Sequence, residues 1–413
     1  MFNKKLGLIT PWFGGFAGGA ELLARNMARE LNARGIHTIV FTTCSRSPYD
    51  SWWHDHYESG VYQVEGIETQ RFATGKIREP YDSVISKLSR KKKINVQDEQ
   101  DFFDFGINSH DLVEALHDYL NTEYELIVLP YFHGLTHSVV NKYPGRISLI
   151  PCFHDEPQFY WNATERLLLN ANHIFFNSPE EKDLTIKQYG HRVGRGIVEG
   201  VVTGVGIELA RADVDFTEKA ESLPKSYFIY AGRKERGKNV HLLCEWFLEY
   251  LKTFKRTTKL VFLGSGDKSL LPANDCFVDM GFVSEERKLQ LIKHSKGVIN
   301  LSENESFSIV IMEGWLCEVP SVVSANCLVT RNHVRRCHGG FYVSNSGEFC
   351  LALKQLEDDD SLRHQLGLNG RDYLKREFSF DVVLSRYLNE FTSCREPELR
   401  ALRNGRLQST VCA

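Results

Sequence analysis

The sequence predicts an α/β protein made of two doubly wound domains, and three observations carry that expectation. A short apolar run, Leu6 to Thr10, ends in a glycine-rich loop and is followed by an amphipathic helix and a second apolar run, the first unit of a doubly wound sheet. The same order of strand, polar loop and helix restarts at Tyr227. A chain of 413 residues also exceeds the roughly 250–300 residues at which a single core stops growing.

The first strand stops at Pro11 and opens into Trp12-Phe13-Gly14-Gly15-Phe16-Ala17-Gly18-Gly19. Glycines there let backbone approach a ligand closely, and the loop follows the carboxyl end of a strand, where such folds bind ligands. A merely connecting turn would read the same way, and the loop is not G-x-G-x-x-G, so a dinucleotide is not indicated. The helix from Ala20 to Arg34 carries Leu23, Met27 and Leu31 on one face and stops at Gly35. Ile36 to Thr43 reads as the second strand. Residues 45–108 read as an irregular insertion rich in aromatics, with strands inside Val61 to Phe72. His54 and His56 lack a third ligand at metal-binding spacing. The run Arg90-Lys91-Lys92-Lys93 is either a solvated loop or an electrostatic contact for lipid headgroups or a polyprenyl-pyrophosphate acceptor.

Periodicity returns with a helix from Ser109 to Tyr119. Strands follow at Leu126 to Leu129, Ile147 to Ile150 and Ile174 to Phe176. Each ends in a polar cluster: Tyr131-Phe132-His133-Gly134, Cys152-Phe153-His154-Asp155-Glu156, and Asn177-Ser178-Pro179. Those ends should line one crevice. His154 is the candidate functional side chain among them, against the alternative of a capped turn histidine.

Residues 1–207 therefore form the first domain, and 208–224, charged and without periodicity, the linker. The second domain covers 225–376. Its strand Tyr227 to Tyr230 leads into a loop where Arg233 and Lys238 flank a turn, placed to neutralise a diphosphate leaving group. A helix from Val240 to about Phe254 follows. Next come a strand Leu260 to Leu263 ending in Gly264-Ser265-Gly266-Asp267, a strand Phe277 to Phe282, and a helix opened by Ser284. Gly297 to Leu301 is the next strand, then a polar turn, then a helix opening at Ser306. Glu305 sits just before that helix and Glu313 two turns into it, so the two share a face. Ser306 and Ser308 lie beside the unpaired N–H groups of a helix start, an anion site suited to a diphosphate. A carboxylate at its lip can accept from sugar hydroxyls, and a second can hold a ribose diol. A strand Ser321 to Ser324 comes next. Helices at Leu351 to Leu356, Leu362 to Lys375 and Phe378 to Phe391 and a tail, 395–413, close the chain.

Composition bounds the function. The net charge of −3 argues against nucleic acid as a partner. The ten cysteines are scattered without a C-x-x-C pair, as expected of reduced thiols in a cytoplasmic protein rather than a disulfide frame or zinc site. Met1 to Lys5 could mimic a signal n-region, but the apolar run behind it ends at Thr10-Pro11. No run approaches the roughly 18 apolar residues of a membrane span.

Glu305-x7-Glu313, with Ser306-Phe307-Ser308 between, resembles the E-x7-E signature of retaining nucleotide-sugar glycosyltransferases of family four. Gly18-Gly19-Ala20-Glu21 is similar to the family's G-G-x-E opening, and Gly232-Arg233 with Lys238-Asn239 to its G-R…K-N arrangement. The chain departs from the pattern where Ser306 and Ser308 replace common glycines and where Gly314-Trp315 follows the second glutamate. The resemblance implies a GT-B architecture, two Rossmann-like domains facing across a cleft, with acceptor on the first and donor on the second. Phe378 to Asp381 with Tyr387 resembles the family's last helix, 377–394, which crosses back onto the first domain. Transfer would be retaining and metal-free, moving a hexose from a GDP- or UDP-linked donor to a glycan or lipid-linked acceptor, without a cofactor. His154, Glu305, Arg233 and Lys238 would be catalytic. Gly15, Gly18, Gly19, Gly264, Ser306, Phe307, Ser308 and Glu313 would meet the donor. O-antigen or capsule assembly is the implied setting, in the cytoplasm, with a peripheral contact to the inner face of the membrane as a further option. Two other readings stay open: another GT-B enzyme such as a nucleotide-sugar 2-epimerase, or a non-catalytic partner in a glycan assembly complex.

Overall fold

The computed structural model describes residues 4–14, 18–48, 50–120, 122–193, 199–213 and 224–392. Two six-stranded sheets organise them. The first begins with β1 (Lys5–Ile9), α1 (Gly19–Ala33) and β2 (Thr38–Thr43), where the sequence pattern expects them. Leu23, Ala24, Met27, Ala28 and Leu31 bury one stripe of α1, and Gly35 ends it in the left-handed region at φ 77. β3 (Gly60–Val64) and β4 (Ile67–Phe72) form a hairpin, and β4 pairs parallel with β2. Residues 45–108 are therefore less irregular than expected: they complete the sheet and add α2 (Glu79–Ser89) and α3 (Val96–Asp104). The two strands fall within a residue of Val61 to Phe72, as expected, and β4 buries Ile67, Thr69 and Arg71 on one face. α4 (His110–Ala115), β5 (Tyr124–Val128), α5 (Gly134–Lys142), β6 (Ile147–Leu149) and α6 (Asn162–Asn170) follow. A bridge from Leu149 to Ile174 carries the sheet on to β7 (Phe175–Phe176), α7 (Pro179–Val193) and β8 (Val201–Val202).

The second sheet is wholly parallel. Its elements are β9 (Tyr227–Ala231), α8 (Val240–Phe254), β10 (Lys259–Leu263), β11 (Phe277–Gly281), α9 (Glu285–Lys293), β12 (Val298–Asn300), α10 (Ile309–Leu316), β13 (Ser321–Ser324), α11 (Leu328–Cys337) and β14 (Gly340–Val343). The spatial order is β11-β10-β9-β12-β13-β14, and the first sheet runs β3-β4-β2-β1-β5-β6. Each reverses direction beside its first strand, and the crevice at that switch point, beyond the carboxyl ends of the strands, is where doubly wound sheets bind ligands.

One expectation fails at the centre of the second sheet. The helix expected to open at Ser306 opens at Ile309, because Ser308 adopts a left-handed φ of 72 and cannot be helical. Glu305 therefore lies outside the helix and shares no face with Glu313. α10 is buried along Ile311 to Leu316, so no amphipathic period marks its start.

α12 (Ser346–Asp358) and α13 (Asp360–Phe378) pack on the second sheet, and α14 (Phe380–Thr392) returns to the first domain. Tyr387 packs at a tilt against Phe175 with ring centroids 4.6 Å apart, and the Arg386 guanidinium donates to the Thr203 carbonyl at 2.9 Å. The aromatic rings lie directly on backbone: a Cβ at Gly204 would meet Phe378, and one at Gly206 would overlap the Phe380 ring. Gly206→Ala should therefore cost about 1–3 kcal/mol through overpacking, read as a lower urea midpoint. An unchanged midpoint would show that α14 seats itself elsewhere.

Candidate functional site

The loops leaving β9 and β12 meet at the switch point of the second sheet. Lys238 from the first of them pairs with Glu305 from the second, Nζ to Oε1 at 2.9 Å. Asn300, the last residue of β12, donates from Nδ2 to Glu305 Oε1 at 3.2 Å and to Ser308 Oγ at 2.9 Å, while its Oδ1 accepts the Ser302 N–H at 2.9 Å. Asn239 adds a bond from Nδ2 to the Leu301 carbonyl at 3.0 Å. The two loops are thus one hydrogen-bonded unit. Burial would raise the Glu305 carboxyl, but Lys238 outweighs it, helped by the field of His154 and by Asn300, and the group is held below its ordinary range.

Beneath that unit, Lys234 is buried, with its ammonium on the Gly264 carbonyl and 3.0 Å from Asp279 Oδ1. Gly264 sits at φ 105, and a Cβ there would run into the Gly232 carbonyl, so glycine is needed for the close approach of two loops. Arg233 is half-exposed above them, with Glu235 at 3.2 Å.

The first domain contributes the facing wall. His154 follows β6, its Nδ1 3.6 Å from Glu156 Oε1, and Tyr131 donates its hydroxyl to the same oxygen at 2.6 Å. Burial would raise Glu156, but His154, Tyr131 and the field of Lys238 together hold it below its ordinary range. The field of Lys238 at Glu156 and that of His154 at Glu305 put the two units within electrostatic reach of each other. Glu181 supports the wall from behind: one carboxyl oxygen accepts the Phe153 N–H and the other the Asn177 N–H, each at 2.6 Å. It ties the strand end bearing His154 to the next one. His133 is the extended residue before α5, its side chain capping no N–H; it is held edge-on by Trp12 at 4.8 Å and pushed down to about 4 by burial.

The glycine loop reaches the same region. Gly18 is the extended residue before α1, and a Cβ at the exposed Gly19 would meet nothing within 4 Å, so the backbone stands open there. Gly15 lies outside the described residues. Glu21, in the first turn of α1, is 7% exposed, and burial raises its carboxyl from 4.5 to about 7 against the opposing field of Arg233.

Several expected residues take other places. Phe307 turns inward and packs on Phe378 and His333 at 4.9 and 5.3 Å, because the left-handed turn at Ser308 points it into the core, so its side chain does not face a donor. The Ser308 hydroxyl is taken by Asn300 and caps no helix N–H. Ser306 remains half-buried in the turn. Glu313 is only 2% exposed and pairs with Lys288 at 2.8 Å and Arg211 at 3.8 Å, and Glu285 bridges the same two cations. The glutamates thus belong to separate charge clusters. Lys234, Asn300 and Glu181 are the residues that sequence reasoning passed over, and Glu156 was read only as part of the polar cluster after its strand. Ser178-x-x-Glu181 is a legible cap signature, and the Ser178 Oγ does accept the Glu181 N–H at 3.2 Å. Lys234 carries no signal that sets it apart from the charges beside it.

The raised carboxyls have a consequence for stability. A folded chain that keeps a proton on Glu21 up to about pH 7, where the unfolded chain releases it near 4.5, loses stability as pH rises through that window. The loss between pH 5 and 8 should be roughly 2–3 kcal/mol from this group, and Glu181, raised to about 8 by burial, acts in the same direction. Glu21→Gln should flatten the decline in melts taken across that range. A variant whose profile runs parallel to the wild type would remove Glu21 from the account.

Residues 213–373 match the family described as glycosyl transferases group 1. Over 205 residues the chain is 26% identical to the capsular polysaccharide biosynthesis glycosyltransferase CapM of Staphylococcus aureus, covering 45% of this chain and 52% of that protein, so the match spans about half of that relative's length. Among solved structures, sucrose-phosphate synthase from Thermosynechococcus elongatus matches with a TM-score of 0.64 at 16% identity over 94% of this chain and 98% of that one. HepE of Anabaena, solved in complex with UDP and glucose, matches with a TM-score of 0.65 at 15% identity over 95% and 100%. At such identities the likeness speaks for the fold alone. With one strand order used twice and both switch points turned to one cleft, that fold is GT-B, and the glycosyl transferases group 1 match falls on its second domain.

Proposed function

We propose that the protein transfers a hexose from a nucleoside-diphosphate sugar to a glycan or glycolipid acceptor with retention of anomeric configuration. The observation that carries this reading is the Lys238–Glu305 pair at the second switch point, with the His154–Glu156 loop facing it from the first domain. An ammonium has three donors, so Lys238 can serve a carboxylate and a phosphate oxygen together. Arg233 and the N–H groups at the start of α10 supply further positive potential for a diphosphate. Glu305, kept ionised beside them, accepts from hydroxyls of the transferred sugar, and His154 approaches it from the acceptor side.

In the reaction the glycosidic C–O bond to the leaving phosphate breaks as the acceptor oxygen bonds to the same carbon from the same face. The departing phosphate oxygen takes the acceptor's proton, and the nucleoside diphosphate leaves. Arg233 and Lys238 stabilise the charge that develops on it, which is where a preorganised site contributes most. Glu313 holds the ribose diol only if Lys288 and Arg211 leave one of its oxygens free to accept. No metal enters this account, since cations of the chain hold the leaving group.

The CapM match supports capsular polysaccharide assembly as the setting, with O-antigen assembly the alternative that product analysis would separate. A UDP-linked donor is the first to test, and a GDP-linked one the second. Among the described residues no helix is long and apolar enough to cross a membrane. Arg90 to Lys93 are exposed at the end of α2, which fits a peripheral contact with anionic lipid at the cytoplasmic face. A 2-epimerase would use the same fold, and product analysis separates it: a transferase releases nucleoside diphosphate in step with a new glycoside.

Lys238→Ala and Arg233→Ala should each cost about 2–4 kcal/mol of transition-state stabilisation, a fall in kcat of roughly 30- to 1000-fold at little cost in melting temperature. Normal turnover in either folded variant would end the phosphate-clamp assignment. Turnover should also survive excess EDTA, and loss of activity that manganese restores would overturn the metal-free mechanism.

A further inference from the structure

An open cleft of about 610 Å3 lies on the first domain between the loop after β1, the loop after β2 and the β3–β4 hairpin. At its base is Arg71, the residue before the last of β4, only 5% exposed. Its guanidinium lies 4.0 Å from the Tyr57 ring and donates to the carbonyls of Phe13 at 2.8 Å and Thr43 at 3.4 Å. Burial pushes the group down, and only Tyr57, Cys44 and Tyr62 act on it through space, none of them a carboxylate. An arginine still keeps its charge at neutral pH. Buried charges are as a rule paired, because taking a charge out of water without a partner is costly. Here the charge meets carbonyl dipoles and a ring face but no anion. Two of the five N–H groups of the guanidinium are used. Nε makes no hydrogen bond among the described residues, yet it is not one of the partnerless atoms sealed from solvent. The unused donors are therefore within reach of the cleft that Arg71 lines.

We infer that this cleft takes an acidic sugar of the acceptor glycan, its carboxylate or phosphate received by Arg71 and its ring laid against Tyr62. An anion is what the base lacks, and a guanidinium fork meets a carboxylate or a phosphate in bidentate fashion. Tyr62, on the edge strand β3, is 38% exposed, and its hydroxyl donates to the Glu58 carbonyl at 3.1 Å, which fixes the ring at the rim. Such a ring offers apolar area at little entropic cost. Glu58 and Glu65 also stand at the rim, where Glu65 meets Arg25 at 3.7 Å, and neither acts on Arg71. A negative mouth over a positive base suits a ligand with one anionic group and many hydroxyls better than it suits a diphosphate.

The place suits an acceptor. Gly14 follows β1, Tyr57 is tied to the end of β2 by its N–H on the Cys44 carbonyl at 3.0 Å, and Arg71 is near the end of β4. The cleft thus opens at the same carboxyl edge of the sheet that carries His154 behind β6. Gly14 sits at φ 84, and a Cβ there would run into Val64 and lie 3.5 Å from Arg71 Nη2, so glycine lets the loop rest on the arginine. The strand order sets β4 four strand spacings, roughly 19 Å, from β6. The unit bound by Arg71 is therefore not the one that reacts beside His154. The acceptor assignment rests on the transferase reading, whereas binding of the sugar acid itself does not.

The test uses the full chain, with and without excess UDP and GDP, and ligand-observed NMR with glucuronic acid, glucose 1-phosphate, glucose and inorganic phosphate. One or both sugar acids should bind at least tenfold more tightly than glucose, and the tighter of the two identifies the anion. Excess nucleotide should not displace them. Arg71→Met, which keeps the length of the side chain and removes its charge, should abolish the preference for acid over neutral sugar. Tyr62→Ala, at the exposed rim, should weaken the sugar acids at least threefold and leave inorganic phosphate and UDP unchanged, and it decides the matter if Arg71→Met does not fold. Glucose binding as tightly as both acids, a preference that survives Arg71→Met, sugar acids unaffected by Tyr62→Ala, or sugar acids displaced by nucleotide would each overturn the inference. Nucleotide binding without sugar-acid binding defeats this cleft alone, and sugar-acid binding without any nucleotide binding defeats the transferase reading instead.

Discussion

The geometry of the cleft depends on one side-chain amide. Asn300 ends the central strand of the second sheet, and its three hydrogen bonds fold the next eight residues back on that strand end. One of them holds Ser308 in a left-handed conformation, which persists only where the surroundings fix it. The turn at Ser308 then does two things at once. It sends Phe307 into the core, against His333 and Phe378, and it leaves Glu305 outside the helix, where Lys238 can reach it. Because Phe378 also leads into the crossover helix, the loop that shapes the site and the element that joins the domains share one aromatic cluster.

The carboxylates around the cleft differ in how their charge is met, and that difference sorts their roles. Glu305 has one cation and one amide, so it stays ionised while keeping acceptor capacity for hydroxyls. Glu313 faces two cations and is almost fully enclosed, an arrangement that ties α9 and α10 to the segment leaving the first domain. Removing one partner of such a buried group leaves an uncompensated charge, which is more damaging than loss of an exposed pair. Among the described residues Glu21 pairs with no cation and meets only the field of Arg233, so burial keeps its proton near neutrality and it can donate a hydrogen bond where an ionised glutamate could only accept.

Much of this was legible in the sequence because the strands are buried on both faces and read as short apolar runs, and because loops at their carboxyl ends collect polar residues. Arg233, Lys238, His154 and Glu305 come together for that reason: each directly follows a strand. What escaped reading was set by tertiary contact. The start of α10 carries no period because its neighbours bury nearly all of it. β4 was foreseen only as lying inside Val61 to Phe72, and its facing was not legible because Arg71, a charged residue, points inward, donating to the Phe13 carbonyl at 2.8 Å and lying 4.0 Å from the Tyr57 ring. Lys234 stands among charged residues of the same loop, and only the fold decides that it goes in while Arg233 stays out. The pairing of Lys238 with Glu305 was likewise invisible, since nothing in their separate motifs says that the two loops touch.

The way the domains are joined bears on how such a site can work. At the back, α14 sets Tyr387 and Phe380 on the first domain through apolar contacts that exclude water, and His173 meets Glu390 at 3.1 Å beside them. Elsewhere the contacts are charged: Glu180 at the start of α7 with Arg336 and, at 2.8 Å, with Asn332 on α11, and Arg29 with Glu208. The Arg29–Glu208 pair is exposed and contributes only about 0–1 kcal/mol, since water replaces either partner at little cost; at Glu180 the carboxylate is buried and only the Arg336 side is open to water. Buried aromatic area does not exchange with water so cheaply. The joint is therefore apolar along the crossover helix, polar at Glu180, one residue before the glutamate that holds the His154 loop, and weakest at the exposed Arg29–Glu208 pair. A change in the angle between the domains would break the polar contacts first. It would also move His154 away from Glu305, whose carboxyl feels its field, the two groups on which the proposed transfer relies.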